Sequence, residues 1–253
     1  MTMSNNKLRL SLIKWFAWGF CALTALATVW VIGDALFRLT GHAGLIKLLS
    51  EALLWLVPLA FAVLAALIVT RQPGNVMGWL MMLPVLGGLL AIVSEAYLQN
   101  ITAPPSAPSF LLLLMLWFDN TSWVVIFFPI LLIPLLFPTG RPPSQRWNWV
   151  IGYAVALVLI FFFIAVTAKD WGPPDGGWLV RNPIGFISAD TLDQFFGLPW
   201  TIGFGLLILI SMAAFFVRYR RGSSLEKAQI KWVVYACTFF GIFAIIDGAN
   251  PDP

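Results

Sequence analysis

Apolar runs long enough to cross a bilayer recur along almost the entire chain, and that feature removes most folds from consideration. A helix needs about 20 mostly apolar residues to pass through the hydrocarbon core. Such runs read as 15–36, 53–69, 76–97, 110–137, 150–166, 199–217 and 232–246. Backbone polar groups inside lipid must be satisfied within the spanning structure, which leaves helices or a closed barrel. Barrel strands of about 10 residues would alternate in polarity, and the stretch from Val150 to Val166 shows no alternation. Only 10% of the 253 residues are charged, against roughly 25% in a soluble domain. The expected fold is an all-α integral membrane protein, one transmembrane domain over 1–253 with about seven crossing helices.

Two details of the runs carry expectations. Lys7, Arg9 and Lys14 precede an apolar stretch in which Ala25-Leu26-Ala27 has the form of a signal-peptidase site. The run continues to Leu36, longer than a secretory leader allows, so it reads as an uncleaved first helix. The fourth run is too long for a straight crossing and is interrupted by Asp119-Asn120-Thr121-Ser122, with Pro129 and Pro134 expected to bend its second half.

Orientation follows from the basic residues. One side collects Lys7, Arg9, Lys14, Arg71, Arg141, Arg146, Arg218, Arg220, Arg221, Lys227 and Lys231; the other holds Arg38, Lys47, Lys169 and Arg181. The N-terminus is therefore expected in the cytoplasm and, after seven crossings, the C-terminus outside. The longest outer link runs from Ala168 to about Phe196, with Trp171 and Trp178 as candidate interfacial anchors; a second, from Ile101 to Ser109, is rich in Pro, Ala and Ser.

A net charge of +4, dispersed between apolar runs, gives no nucleic-acid footprint. Cys21 and Cys237 fall inside runs and read as small buried hydrophobes. Five carboxylates lie at or near run ends on the expected outer side: Asp34, Glu51, Glu95, Asp119 and Asp247. Ionisable groups near membrane depth are costly and often functional, so these are candidates for an outer ion or ligand site. His42, the lone histidine, reads as part of an outer link. Phosphate-binding, dinucleotide-binding, zinc-hydrolase and nucleophile-elbow motifs are all absent from the sequence. Neither an enzyme nor a bound cofactor or metal is expected.

Three stretches on the expected inner side differ in kind. Arg71-Gln72-Pro73-Gly74-Asn75-Val76-Met77-Gly78-Trp79 is a tight hairpin turn built on Pro and Gly. Phe137-Pro138-Thr139-Gly140-Arg141-Pro142-Pro143, followed by Arg146-Trp147, is a second, rigid basic turn. Arg218-Tyr219-Arg220-Arg221, then Glu226-Lys227-Ala228-Gln229-Ile230-Lys231-Trp232, reads as a basic helix end and a short helical linker. The candidate inner rim is thus Arg71, Arg141, Arg146, Arg218, Arg220, Arg221, Glu226, Gln229, Lys231 and Trp232, suited to anionic lipid heads or an acidic partner segment.

Together these stretches resemble the N-terminal multi-helix membrane domain of bacterial sensor histidine kinases of actinobacterial and Chloroflexi type. That family's pattern has an R-x-P-x-N-x-x-G-W turn, an L-F-P-T-G-R-x-P-S-x-R-W turn, an N-P-[LI]-G segment and an E-R-x-Q-x-K-W element. Here they stand in that order at Arg71–Trp79, Leu136–Trp147, Asn182–Gly185 and Glu226–Trp232, with Lys227 where the family usually has Arg. In the family another helix and a cytoplasmic kinase region follow. Residues 1–253 hold no phosphorylatable histidine region and no nucleotide-binding region, so kinase activity does not carry over. The resemblance implies a non-catalytic sensor or signalling domain in the bacterial inner membrane, the input part of a longer receptor or a stand-alone relative. Membrane lipids are the expected partners, together with a second copy, a partner kinase or a membrane subunit. The other classes to weigh are a structural subunit packing through faces such as Gly87-Gly88, and a small transporter or channel using the outer carboxylates.

Overall fold

The computed structural model describes residues 2–38, 42–101, 103, 107–173, 177–231 and 235, of which 2–7, 9, 35, 38 and 42–55 are described as backbone alone. The element order is α1 (Thr2–Arg38), α2 (His42–Arg71), α3 (Val76–Leu98), α4 (Phe110–Leu136), a 3-10 turn (Gln145–Trp147), α5 (Asn148–Thr167), β1 (Asp170–Trp171), β2 (Val180–Arg181), α6 (Ala189–Phe196) and α7 (Leu198–Arg221). Residues 224–231 are helical again. Five described stretches are long and apolar enough to cross a membrane: Leu10–Asp34, Val76–Leu98, Phe110–Leu136, Gln145–Thr167 and Ala189–Arg221. A shorter apolar stretch occupies Leu56–Arg71. This is the makeup of a multi-pass membrane protein. The seventh expected run, 232–246, lies outside the described residues apart from Tyr235.

The interruption expected in the fourth run does not occur; α4 is continuous through Asp119–Ser122. Its polar side chains turn back onto their own helix. Asn120 Nδ2 donates to Leu116 O (2.8 Å), and Thr121 Oγ1 to Trp117 O (2.7 Å). Short polar side chains that satisfy themselves on carbonyls within the helix need no water. His42, expected in a link, instead begins α2, and Glu51 falls within that helix.

Contacts divide the chain into two compact units: Met1–Gly78 with Leu135–Pro143 and Ala213–Pro253, and Trp79–Pro134 with Ser144–Met212. In the first, α1 packs on α2. The residues buried on α1 (Ala17, Cys21, Thr24, Thr28) recur every three or four positions and so share one face, and α2 buries Ala62, Ala65, Ala66 and Val69. Small side chains let helix backbones approach, which is how helices associate where lipid supplies no hydrophobic drive. The two threonines on that face donate back to Phe20 O and Thr24 O, each at 2.9 Å.

In the second unit, α3 and α4 meet at Gly87, where a Cβ would lie 2.7 Å from Ile126 Cγ1 and 2.9 Å from Ser122 O. Gly88 has open space around it. Tyr153 ties α5 to α7 through its hydroxyl, which donates to Gly203 O (2.8 Å). An aromatic cluster fills the space between α4, α5, α6 and α7: Trp123 meets Phe161 edge-on at 4.9 Å, and Trp200 contacts Phe128, Phe161, Phe195 and Phe196.

The described residues of the long link after α5 include the antiparallel β1–β2 pair and α6. Trp171 and Trp178 are each tied to the protein through the indole N–H. Trp171 Nε1 donates to Ala165 O (3.0 Å) and Trp178 Nε1 to Ile101 O (3.2 Å), while both rings pack on Leu98, Leu112, Met115, Leu116 and Val180. The Asn182-Pro183-Ile184-Gly185 segment is the hub of this link. Buried Asn182 donates through Nδ2 to Val166 O and Ala168 O, both at 2.8 Å, and accepts from Ile184 N (3.2 Å). A side chain at Gly185 would collide with the backbone of Ala168 and Lys169.

Candidate functional site: a basic cleft where three turns meet

The parts of the three basic stretches that belong to the first unit, 71–78, 137–143 and 218–231, are linked by contacts within it. The Arg71–Trp79 turn closes with Asn75 N donating to Gln72 O (2.9 Å), after which Asn75 Oδ1 accepts Met77 N (3.0 Å) and caps α3. Capping by Asn supplies an acceptor for a backbone donor that the first helical turn leaves orphaned. Gly78 allows the next close contact, since a Cβ there would sit 2.7 Å from Val69 Cγ2.

The second turn meets the first at Gly140. This residue ends α4 by donating to Leu136 O (2.8 Å), and it has φ of +73°, a left-handed conformation that favours glycine. A Cβ would lie 2.5 Å from Asn75 Oδ1, so the glycine is required both by its own backbone and by the neighbouring cap.

The third element joins through Arg218 in the last turn of α7. It is 7% exposed. Its Nη1 donates to Thr139 Oγ1 (3.1 Å) and its Nη2 to Arg141 O, while its buried Nε has no hydrogen-bond partner. The α7 helix then stops at Gly222, whose N–H donates to Arg218 O (2.7 Å). Ser223 and Glu226 form a reciprocal cap for the helix that follows: Ser223 N donates to Glu226 Oε2 (2.8 Å) and Glu226 N to Ser223 Oγ (3.3 Å).

The second and third of these elements line an open cleft of about 540 Å³, formed by Thr139, Arg141, Pro142, Pro143, Val217, Arg218, Arg221, Gly222 and Glu226. Three arginines therefore face one carboxylate, and that carboxylate is engaged by Ser223. Of the remaining rim candidates, Arg71, Gln229 and Lys231 are exposed and do not line the cleft, and exposed Arg220 lies over the Phe216 ring at 4.8 Å. Arg146 belongs to the second unit, exposed in the 3-10 turn, and Trp232 lies outside the described residues.

Of the five carboxylates expected on the outer side, three have described side chains. Asp34 is half-buried near the end of α1. Exposed Glu95 accepts from Gln99 Nε2 (3.1 Å), and half-buried Asp119 is approached by Ser94 Oγ at 3.5 Å. The side chain of Glu51 and the whole of Asp247 lie outside the described residues. Among the described residues no three His, Cys, Asp or Glu are placed to hold a metal ion.

Sequence reasoning missed Thr139 and Ser223 as site residues. The Ser223-x-x-Glu226 spacing is a capping-box signature and could have revealed the second. Thr139 carried no such signal, because its partner lies 79 positions away. No family model, curated protein or solved structure matches the chain.

Proposed function

We propose that the chain is a non-catalytic membrane sensor domain of the bacterial inner membrane, crossing the bilayer seven times with its N-terminus in the cytoplasm. The basic end, where the three turns meet, is its cytoplasmic output face. The distribution of Lys and Arg supports this orientation. The observation that carries the reading is the Arg218 contact, which fixes the end of α7 to the turn after α4 through Thr139 and Arg141. A fork-shaped cation held by two acceptors is either engaged or released, and that is the kind of discrete local element whose balance an input can shift. The following helix, capped by Ser223 and Glu226, leads on from this contact and would carry the change to a signalling partner.

The test is a chimera in which one further transmembrane helix, which returns the chain to the cytoplasm, and then a histidine-kinase catalytic region are fused after Pro253 and autophosphorylation is followed in membranes. Arg218→Met should change the basal rate several-fold, with membrane insertion and expression unchanged. A rate equal to wild type in an inserted, folded variant would refute the output role.

A further inference from the structure

We infer that the cleft beneath Arg218 binds a phosphoryl group, and so assign the ligand class of the proposed output face, on whose reading this inference rests. Arg141 and Arg221 flank the opening and are exposed, whereas Arg218 is the buried member of the lining, held by two hydrogen bonds. A pre-positioned guanidinium loses little freedom when an anion arrives, and arginine forks match the oxygens of phosphate in pairs. The one carboxylate in the lining accepts the Ser223 N–H and hydroxyl at 2.8 and 3.2 Å and also acts on Arg218, so it offsets one of the three arginine charges. The lining therefore retains an excess of positive charge at the end of an apolar helix, the level at which lipid phosphates lie. The cleft volume, about 540 Å³, falls within the roughly 300–1,000 Å³ of small-molecule sites, and Pro142 and Pro143 give it a stiff wall.

The same chemistry is offered by an anionic lipid headgroup and by a soluble phosphate, and the experiment separates them. The full chain is placed in nanodiscs of phosphatidylcholine alone and titrated with inorganic phosphate. In parallel it is placed in nanodiscs doped with phosphatidylglycerol, and retained lipid is counted by native mass spectrometry. The variant Arg141→Gln/Arg221→Gln, which leaves the Arg218 hydrogen bonds intact, should bind about 30-fold more weakly in whichever arm shows binding. Loss in the doped discs identifies a lipid headgroup, and loss in the phosphate titration a soluble ligand. The paired variant Arg71→Gln/Arg220→Gln removes the same charge outside the cleft and should bind as wild type. Binding in neither arm overturns the inference, as does an equal loss in both variants, which would mean a diffuse basic surface. A null result here with a responsive kinase chimera would remove the ligand and leave the output role standing.

Discussion

Replacing Arg218 with methionine keeps the length of the side chain and removes the guanidinium. Two hydrogen bonds from a charged donor, to Thr139 Oγ1 and Arg141 O, are lost. At about 1.5–3 kcal/mol each, they would contribute roughly 3–6 kcal/mol. Two effects reduce this. The buried Nε without a partner costs on the order of 1–3 kcal/mol in the native protein, and methionine relieves it. Thr139 and Arg141 are exposed, so water replaces part of what they lose. The net cost to the closed turn is about 2 kcal/mol, or roughly 30-fold in its opening equilibrium. Hydrogen exchange of the Gly140 amide, which is bonded to Leu136 O, reads this opening directly. Exchange should accelerate roughly 30-fold in Arg218→Met and less in Arg218→Lys, which keeps the charge and one bond. An amide in Arg218→Met that exchanges within threefold of wild type would show that the guanidinium does not hold this turn.

Other substitutions test the neighbouring contacts. Gly140→Ala forces a side chain into a left-handed backbone 2.5 Å from Asn75 Oδ1 and should destabilise by at least about 1 kcal/mol, measured as a lowered Tm in detergent. Gly87→Ala should destabilise by about 1–3 kcal/mol through the clash with Ile126 and Ser122 O, read as a lowered Tm, while Gly88→Ala, with open space around it, should leave the Tm unchanged. Asn182→Ala strips three hydrogen bonds from the link after α5 and should expose residues 168–188 to limited proteolysis with little effect on the transmembrane helices. Ser223→Ala breaks the reciprocal cap and should reduce protection of the 224–231 helix by about 1 kcal/mol in hydrogen exchange.

Hydropathy alone was enough to locate the long helices. The runs 76–97, 110–137 and 150–166 correspond to α3, α4 and α5 within two residues at each end, because an apolar segment in lipid has helix as its only self-satisfied form. The same logic fails where polar residues satisfy themselves. Asp119–Ser122 read as a break and proved to be helix, since the Asn120 and Thr121 side chains bond to carbonyls one turn back. The start of α2 was misplaced because Lys47 and Glu51 lower hydropathy without disfavouring helix. The β1–β2 hairpin has two residues per strand, too few to carry a period of two. At the basic cleft, the residue types were legible as three separate turns. Their convergence was not, because it depends on contacts such as Asn75 with Gly140 and Arg218 with Thr139, which link positions far apart in the chain.

The central claim, a multi-pass protein whose basic turns all lie on the cytoplasmic side, is tested most directly by cysteine labelling in intact cells. In a Cys21→Ala/Cys237→Ala background, Ser144→Cys and Ser224→Cys mark the basic side, and Asp190→Cys marks the link before α7. With a membrane-impermeant maleimide, Asp190→Cys should label in intact cells, and the other two only after permeabilisation. Labelling of Ser224→Cys from outside, or of all three from one side, would contradict the account.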